Sequence, residues 1–570
     1  MVIRWRRRWR WGKRRRRKMV AAAPLEGTLR PAVAIACLVA VVLGLVLIIL
    51  LAGRDNMARF GRLEKSPEVL SERANEIAKR LGYTKPPVDK VYGFGLDGSY
   101  LQYVSEHDAT SARWDKVTAG EPAAAFFWYR QSPHYLVADD YQHVSLNNPR
   151  SLISGAVALT LDPRGRLRSF EAVPPQVDET PGPAPAPDWP LLFAEADLDI
   201  TKFTSTTPGW LPKVHSDSRA AWEGAFPFQP QLSLRIEAAA YRGRPVYFQM
   251  IAPWDKPTRQ GTGPQNAAGL PFIVLLLLLL LAGILLARWN MQAGRGDRKG
   301  AFRLALYTFS LKMLTYFLDG HHVPTAAEFQ RFWYALAFST FDAGISWLLY
   351  MALEPYVRRR WPHRIIAWSR LLAGHFRDPL VGRDMLTGAV VAVGLLLFLL
   401  ATSKTLRSIG VPAGMPGLLD LSALNGLRGL VGTFLVMQWQ VIQVALCLVF
   451  ALLLLSRLLR KEGLSFGLAW LLFIFVFAMI ARTRDVEGLL FMGVYVGCLI
   501  MLQARFGLLS TFTFFVCSLL IGTHPLTSDF SAWYAEGTFF TLGVVLVICG
   551  YGFYMSLGGQ QVFAGKLLED

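Results

Sequence analysis

Apolar residues fall in long, nearly unbroken runs along this chain, and one stretch of domain size interrupts them. The first run, Pro31 to Ala52, is long enough to cross a bilayer as a helix, which takes about 20 residues. From Gly53 to about residue 270 the hydrophobicity collapses. It returns near 271–287, 303–318, 332–353, 385–402, 432–455, 464–481, 488–503, 506–522 and 535–556. The expected fold class is therefore an α-helical polytopic membrane protein of about ten transmembrane helices. An α+β extracytoplasmic domain, 53–270, lies between the first span and the second.

Inside 53–270 the pattern changes period. Ser66-Pro67-Glu68 opens a helix that Leu81-Gly82 closes, with proline at the first turn and glycine past the last. Alternating apolar and polar positions then predict strands at Ala125–Arg130, Gly155–Leu161 and Leu167–Val173, with a turn at Asp162–Gly165. Pro174-Pro175 ends the last of these, because proline cannot donate to a ladder. A proline-rich linker, 181–187, follows. A helix over Leu191–Phe203 and strands at Leu232–Ala240 and Val246–Ala252 repeat the order, so two tandem helix-then-hairpin units are expected.

Charge sets the orientation. The segment 354–384 carries seven arginines against three acids between two apolar runs, and such loops resist translocation. It is expected to be a cytoplasmic basic linker, with Arg358, Arg359, Arg360, Arg364 and Arg370 toward anionic headgroups. The part from Trp361 to Ala373 is expected to form an amphipathic helix with Ile365, Trp368 and Leu372 on one face. The formal charge of +19 is uneven: residues 1–30 hold twelve Lys/Arg and one acid, a basic cytoplasmic leader rather than a nucleic-acid surface. This threading puts helices two to four over 271–353, helices five to ten over 385–556 and a cytoplasmic tail at 557–570. Both termini then lie inside, and the membrane is a bacterial cytoplasmic (inner) one.

Two charges lie where lipid forbids them. Lys312 and Asp342 each fall midway along an apolar run, and an unpaired charge there costs at least ~2.5–3.5 kcal/mol. They are expected to face each other, as a structural pair or as a relay for ions or protons. Gln438, Gln440 and Gln443 are polar glue or pore lining. Asp319-Gly320-His321-His322 reads as a solvated outer loop, and His524 as part of another. The GxGxxG match at Gly93–Gly98 reads as a turn-rich loop. The five cysteines all lie in apolar runs, so no disulfide framework supports the domain. No HExxH or P-loop occurs. Of the Glu-Glu-x-x-x-Arg motif of intramembrane proteases only Glu354 and Arg358 are present, and no cofactor or metal is expected.

Tyr350–Pro362, Trp368–Gly374 and Arg377–Asp384, with Phe127–Pro133, Leu161–Leu167, Met19–Ala23 and Ser556–Gly559, resemble the membrane-embedded C-terminal half of serine/threonine protein kinases of the acidobacterial type. The resemblance runs over about 19–570. In that family a cytoplasmic kinase domain precedes the first span. This chain has no His-Arg-Asp, Asp-Phe-Gly or Val-Ala-Ile-Lys, so no kinase residue carries over to any position. The resemblance implies the sensor and membrane part, from a truncated or split gene, acting on a cytoplasmic kinase or through self-association. The alternative is a polytopic transporter or intramembrane enzyme using Lys312 and Asp342.

Overall fold

The computed structural model describes residues 27–52, 63–139, 143–178, 182–260, 270–412, 414, 421–481 and 486–560. Most of the basic leader, including residues 1–18, and Arg482 and Arg484 lie outside these. Helix α1 (Pro31–Ala52) is followed by an α+β domain and then by a bundle of long helices.

The domain is one sheet. Its elements are α2 (Pro67–Arg80), β1 (Asp89–Leu96), α3 (Gly98–His107), α4 (Arg113–Thr118), β2 (Ala125–Ser132), β3 (Val157–Leu161), β4 (Leu167–Ala172), α5 (Trp189–Glu195), β5 (Thr204–Thr206), β6 (Ser218–Phe226), β7 (Gln229–Tyr241) and β8 (Arg244–Ile251). All strands are antiparallel in the order β1-β2-β3-β4-β8-β7-β6-β5. Each half is a helix followed by a four-stranded meander, and the order reads the same from either edge toward the middle. The last strands of the halves, β4 and β8, pair with Phe170 opposite Phe248. Both expected hairpins lie in this one sheet, and each gains strands that the pattern did not signal.

One face of the sheet is apolar because strand side chains alternate. Phe127, Tyr129, Leu159, Leu161, Phe170 and Phe248 meet Leu70, Ala74 and Ile77 of α2 and Leu192 and Phe193 of α5. Across the junction of the halves, buried Glu195 of α5 accepts from Arg73 at 2.7 Å and Arg80 at 3.1 Å, both on α2. The expected helix 191–203 is shorter: Asp197 takes a left-handed φ of 57°, and a separate 3-10 turn follows at Ile200–Lys202.

The glycine-rich stretch Gly93–Gly98 is a strand running into a helix, which corrects the expected loop. Gly93 and Gly95 lie in β1 opposite Trp128 and Phe126. A Cβ on Gly95 would collide with the Phe126 ring, so these glycines make room for aromatic neighbours and do not cradle a phosphate. Asp97 caps α3 by accepting from the Tyr100 N–H at 3.0 Å and pairs with Arg168 at 2.9 Å, which puts a negative charge at the helix N-terminus an anion would need.

The bundle comprises α6 (Leu270–Gln292), α7 (Arg298–Asp319), α8 (Ala326–Arg360), α9 (Ile366–Leu372), α10 (Pro379–Ser408), α11 (Gly426–Leu459), α12 (Glu462–Ala481), α13 (Val486–Arg505), α14 (Leu508–Thr523) and α15 (Ala535–Ser556). Among the described residues, eight helices are long and apolar enough to cross a membrane: α1, α6, α8, α10, α11, α12, α13 and α15. The other two expected spans are α7, which is not apolar enough, and α14, which is apolar but has only 16 residues. This architecture is that of a multi-pass helical membrane protein with an α+β domain.

Gly95→Val should destabilise the protein by about 1–3 kcal/mol through overpacking against Phe126. A thermal melt in detergent reads the loss, and adding Phe126→Ala should recover part of it.

Candidate functional site

A line of polar contacts runs along α7 and α8, from the domain at one end to the arginine block at the other. At the domain end, Asp89, the first residue of β1, accepts from the Leu136 N–H at 2.8 Å and pairs with Nε2 of His321 at 2.8 Å. His143 lies 3.4 Å from Asp319. His322 meets Glu328 at 2.6 Å, Tyr316 donates to the same carboxylate, and Arg331 donates to the His321 carbonyl. Arg428 of α11 donates to the carbonyls of Leu318 and Gly320. The Asp319–His322 segment is therefore a lock between domain and bundle, not the solvated loop expected. Among the described residues no group of three or more His, Cys, Asp or Glu could hold a metal ion.

Apolar contacts close the same junction. Phe94 of β1 stacks on Trp533 with centroids 5.8 Å apart, and the Trp533 indole N–H donates to the Leu63 carbonyl at 2.8 Å. Leu424 joins the core of the domain itself. His524, expected in an outer loop, is buried between Thr433 of α11 and Thr541 of α15, at 3.0 and 3.1 Å.

Midway along the line Lys312 of α7 forms an ion pair with Asp342 of α8. The Trp439 ring covers the ammonium at 4.4 Å, and the Gln443 amide donates to Asp342 Oδ1 at 3.2 Å, so α11 seals the pair. Both side chains are largely buried, where breaking a pair by removing one partner is costly. An aromatic ring and a carboxamide do not exchange protons at neutral pH, so these contacts hold the two charges in place. One turn along, Thr308 donates to Ser346 at 3.2 Å, and Tyr307 donates to Gln438.

At the far end α8 does not stop at 353. It continues through Pro355 to Arg360, which places Arg358, Arg359 and Arg360 on its last turn, where cations favour the helix dipole. Pro355 has no N–H for the Met351 carbonyl, a defect that normally breaks a helix. The buried Asn290 of α6 repairs it, donating to the carbonyls of Met351 at 3.0 Å and Ala352 at 3.2 Å. Next to it Glu354 accepts from the Asp297 N–H at 3.2 Å and pairs with Arg358 at 3.0 Å.

The basic segment is more deeply held than expected. Arg359 is exposed, and Arg360 reaches Glu462 at 3.3 Å. Arg364 is buried: it donates to the Ala504 carbonyl at 3.1 Å and lies 4.2 Å from the Trp361 ring centroid. Arg370 pairs with Asp378 at 2.7 Å. The amphipathic helix is reduced to a 3-10 turn at Pro362–Arg364 and to α9. Its apolar residues Ile365 and Trp368 are buried against protein, Trp368 meeting Phe512 of α14 at 5.6 Å, and do not face lipid. Arg364 and that apolar face thus correct the headgroup reading, because the α13–α14 turn comes close enough for the Arg364 backbone to pack on Gly507.

Asn290, Asp89, His321 and Trp533 carry no local signal of these roles. Only once α8 is seen to continue past Pro355 does that position ask for a donor from elsewhere. No protein family, curated protein or solved structure matches the chain.

Two outcomes follow from this geometry. Asn290→Leu should cost about 1–3 kcal/mol, the penalty of a buried unpaired carbonyl. Pro355→Ala in the same chain should remove most of that cost, because alanine at this position would supply the missing N–H; a double-mutant cycle of melting temperatures measures the coupling. Lys312→Leu alone should cost about 3–5 kcal/mol by stranding Asp342, whereas Lys312→Leu with Asp342→Leu should cost far less. Melting in detergent checks both.

Proposed function

We propose that the chain is a membrane signalling protein that passes the state of its water-facing domain to an arginine-rich surface on the other side of a bacterial inner membrane. In this reading ten helices cross, both termini and the arginine block are cytoplasmic, and the domain is periplasmic. The role corresponds to the membrane half of the serine/threonine kinases that the sequence resembles, with a cytoplasmic kinase as the partner of the basic surface.

The observation that carries the reading is the continuity of α8. This single helix of 35 residues begins beside the domain lock at Glu328 and Arg331 and ends in Arg358, Arg359 and Arg360. At 1.5 Å per residue it is about 52 Å long, well beyond a ~30 Å hydrocarbon core. A shift of the domain on its lock moves one end of a rod whose other end bears the charges. Such a device responds to a ligand only through differential affinity for two positions of the domain.

Loosening the lock tests the proposal. Asp89→Ala combined with Trp533→Ala should change the rate at which a maleimide modifies Arg359→Cys by about threefold or more, a population shift of about 0.7 kcal/mol or more. An unchanged rate, with domain release verified by proteolysis near Leu63, would overturn the signalling route.

A further inference from the structure

Three glutamines lie close together on α11, and the structure treats them differently. Gln438 accepts from Tyr307, and Gln443 donates to Asp342 at 3.2 Å. Gln440 points away from the bundle. From Gly429 to Ser456 it is the one exposed residue of the helix, and among the described residues its amide has no hydrogen-bond partner.

Its depth makes this costly. Arg428 and Arg457 are the nearest charged residues on α11, and at 1.5 Å per residue Gln440 lies roughly 18 Å from the first and 26 Å from the second. α11 is among the helices long and apolar enough to cross a membrane. A carboxamide exposed at that depth meets hydrocarbon, which offers no partner and penalises the unpaired group. At the one outward position of the central helix any apolar residue would be favoured over glutamine if lipid covered it. Val436, Val444 and Cys447, within two turns and on the same side, are half-buried and modest in size, so a neighbouring helix can come close.

We infer that the Gln440 face of α11 is a self-association surface, and that its occupant is the same face of a second copy. The choice of occupant follows from the chemistry. A carboxamide is donor and acceptor at once, so two related by a twofold axis along the membrane normal satisfy each other at equal depth. Copies in one membrane share one orientation, which brings Gln440 opposite Gln440. The inference needs α11 to cross the bilayer but not the signalling role.

The test uses the full chain, labelled separately with donor and acceptor dyes, mixed and reconstituted into dilute phosphatidylcholine vesicles, with retention after carbonate washing as a separate check of insertion. Energy transfer should appear for the wild-type chain and persist in Gln440→Asn. In Gln440→Leu the dissociation constant should rise about tenfold or more, in the range expected for interhelical polar contacts, while the melting temperature in detergent stays unchanged. Four results would each overturn the inference: no transfer in the wild type, equal transfer in Gln440→Leu, a melting loss in Gln440→Leu that reveals an internal role, or ready modification of Gln440→Cys by a water-soluble thiol reagent in the vesicles, which would mark a water-filled crevice.

Discussion

Hydrocarbon supplies no hydrogen bonds, so every polar group carried into it must be answered by another part of the protein. The long helices of this chain are organised by that demand. Pro355 strips the Met351 carbonyl of its donor, and Asn290 reaches across from α6 to provide one. Lys312 and Asp342 neutralise each other and are closed in by Trp439 and Gln443. His524 is satisfied by threonines on two helices. Each answer joins different helices, so the polar groups that cost most to bury are also those that fix the relative rotation of α6, α7, α8 and α11.

The domain solves a different problem by similar means. Its two halves could each stand as a helix over four strands, yet they share a sheet through β4 and β8. Burying Glu195 against Arg73 and Arg80 makes the helix pair over that sheet a unit, since separating the halves would leave a carboxylate without its guanidinium partners. The first edge of the sheet is not left open: β1 meets the bundle through Phe94, Trp533 and the Asp89–His321 pair. These contacts seat the domain at the head of α8.

Much of this is legible in the residues, and the rest is hidden for identifiable reasons. Apolar runs locate the long helices because length and hydropathy suffice. Lys312 and Asp342 stand out because their runs are otherwise nearly free of charge, whereas Trp439 and Gln443 do not, since aromatic and amide residues are common in such helices. Strands β1 and β6 escape notice because glycine and alanine weaken their alternation, and the need for those small residues lies on neighbouring strands, in Phe126 and Trp128 for β1. The continuation of α8 past Pro355 is unreadable locally: the residue that permits it, Asn290, is 61 positions from the carbonyl it rescues. Arg364 looks like a headgroup ligand until the α13–α14 turn is seen to cover it.

The account depends on α8 carrying its two ends to opposite faces of the membrane, the domain lock at one and the arginines at the other. Sidedness measures this directly, with single cysteines at Leu152, strongly exposed on the domain, and at Arg359. In sealed right-side-out vesicles a membrane-impermeant maleimide should modify Leu152→Cys and spare Arg359→Cys until the vesicles are opened. Equal modification of both in sealed vesicles would contradict the account.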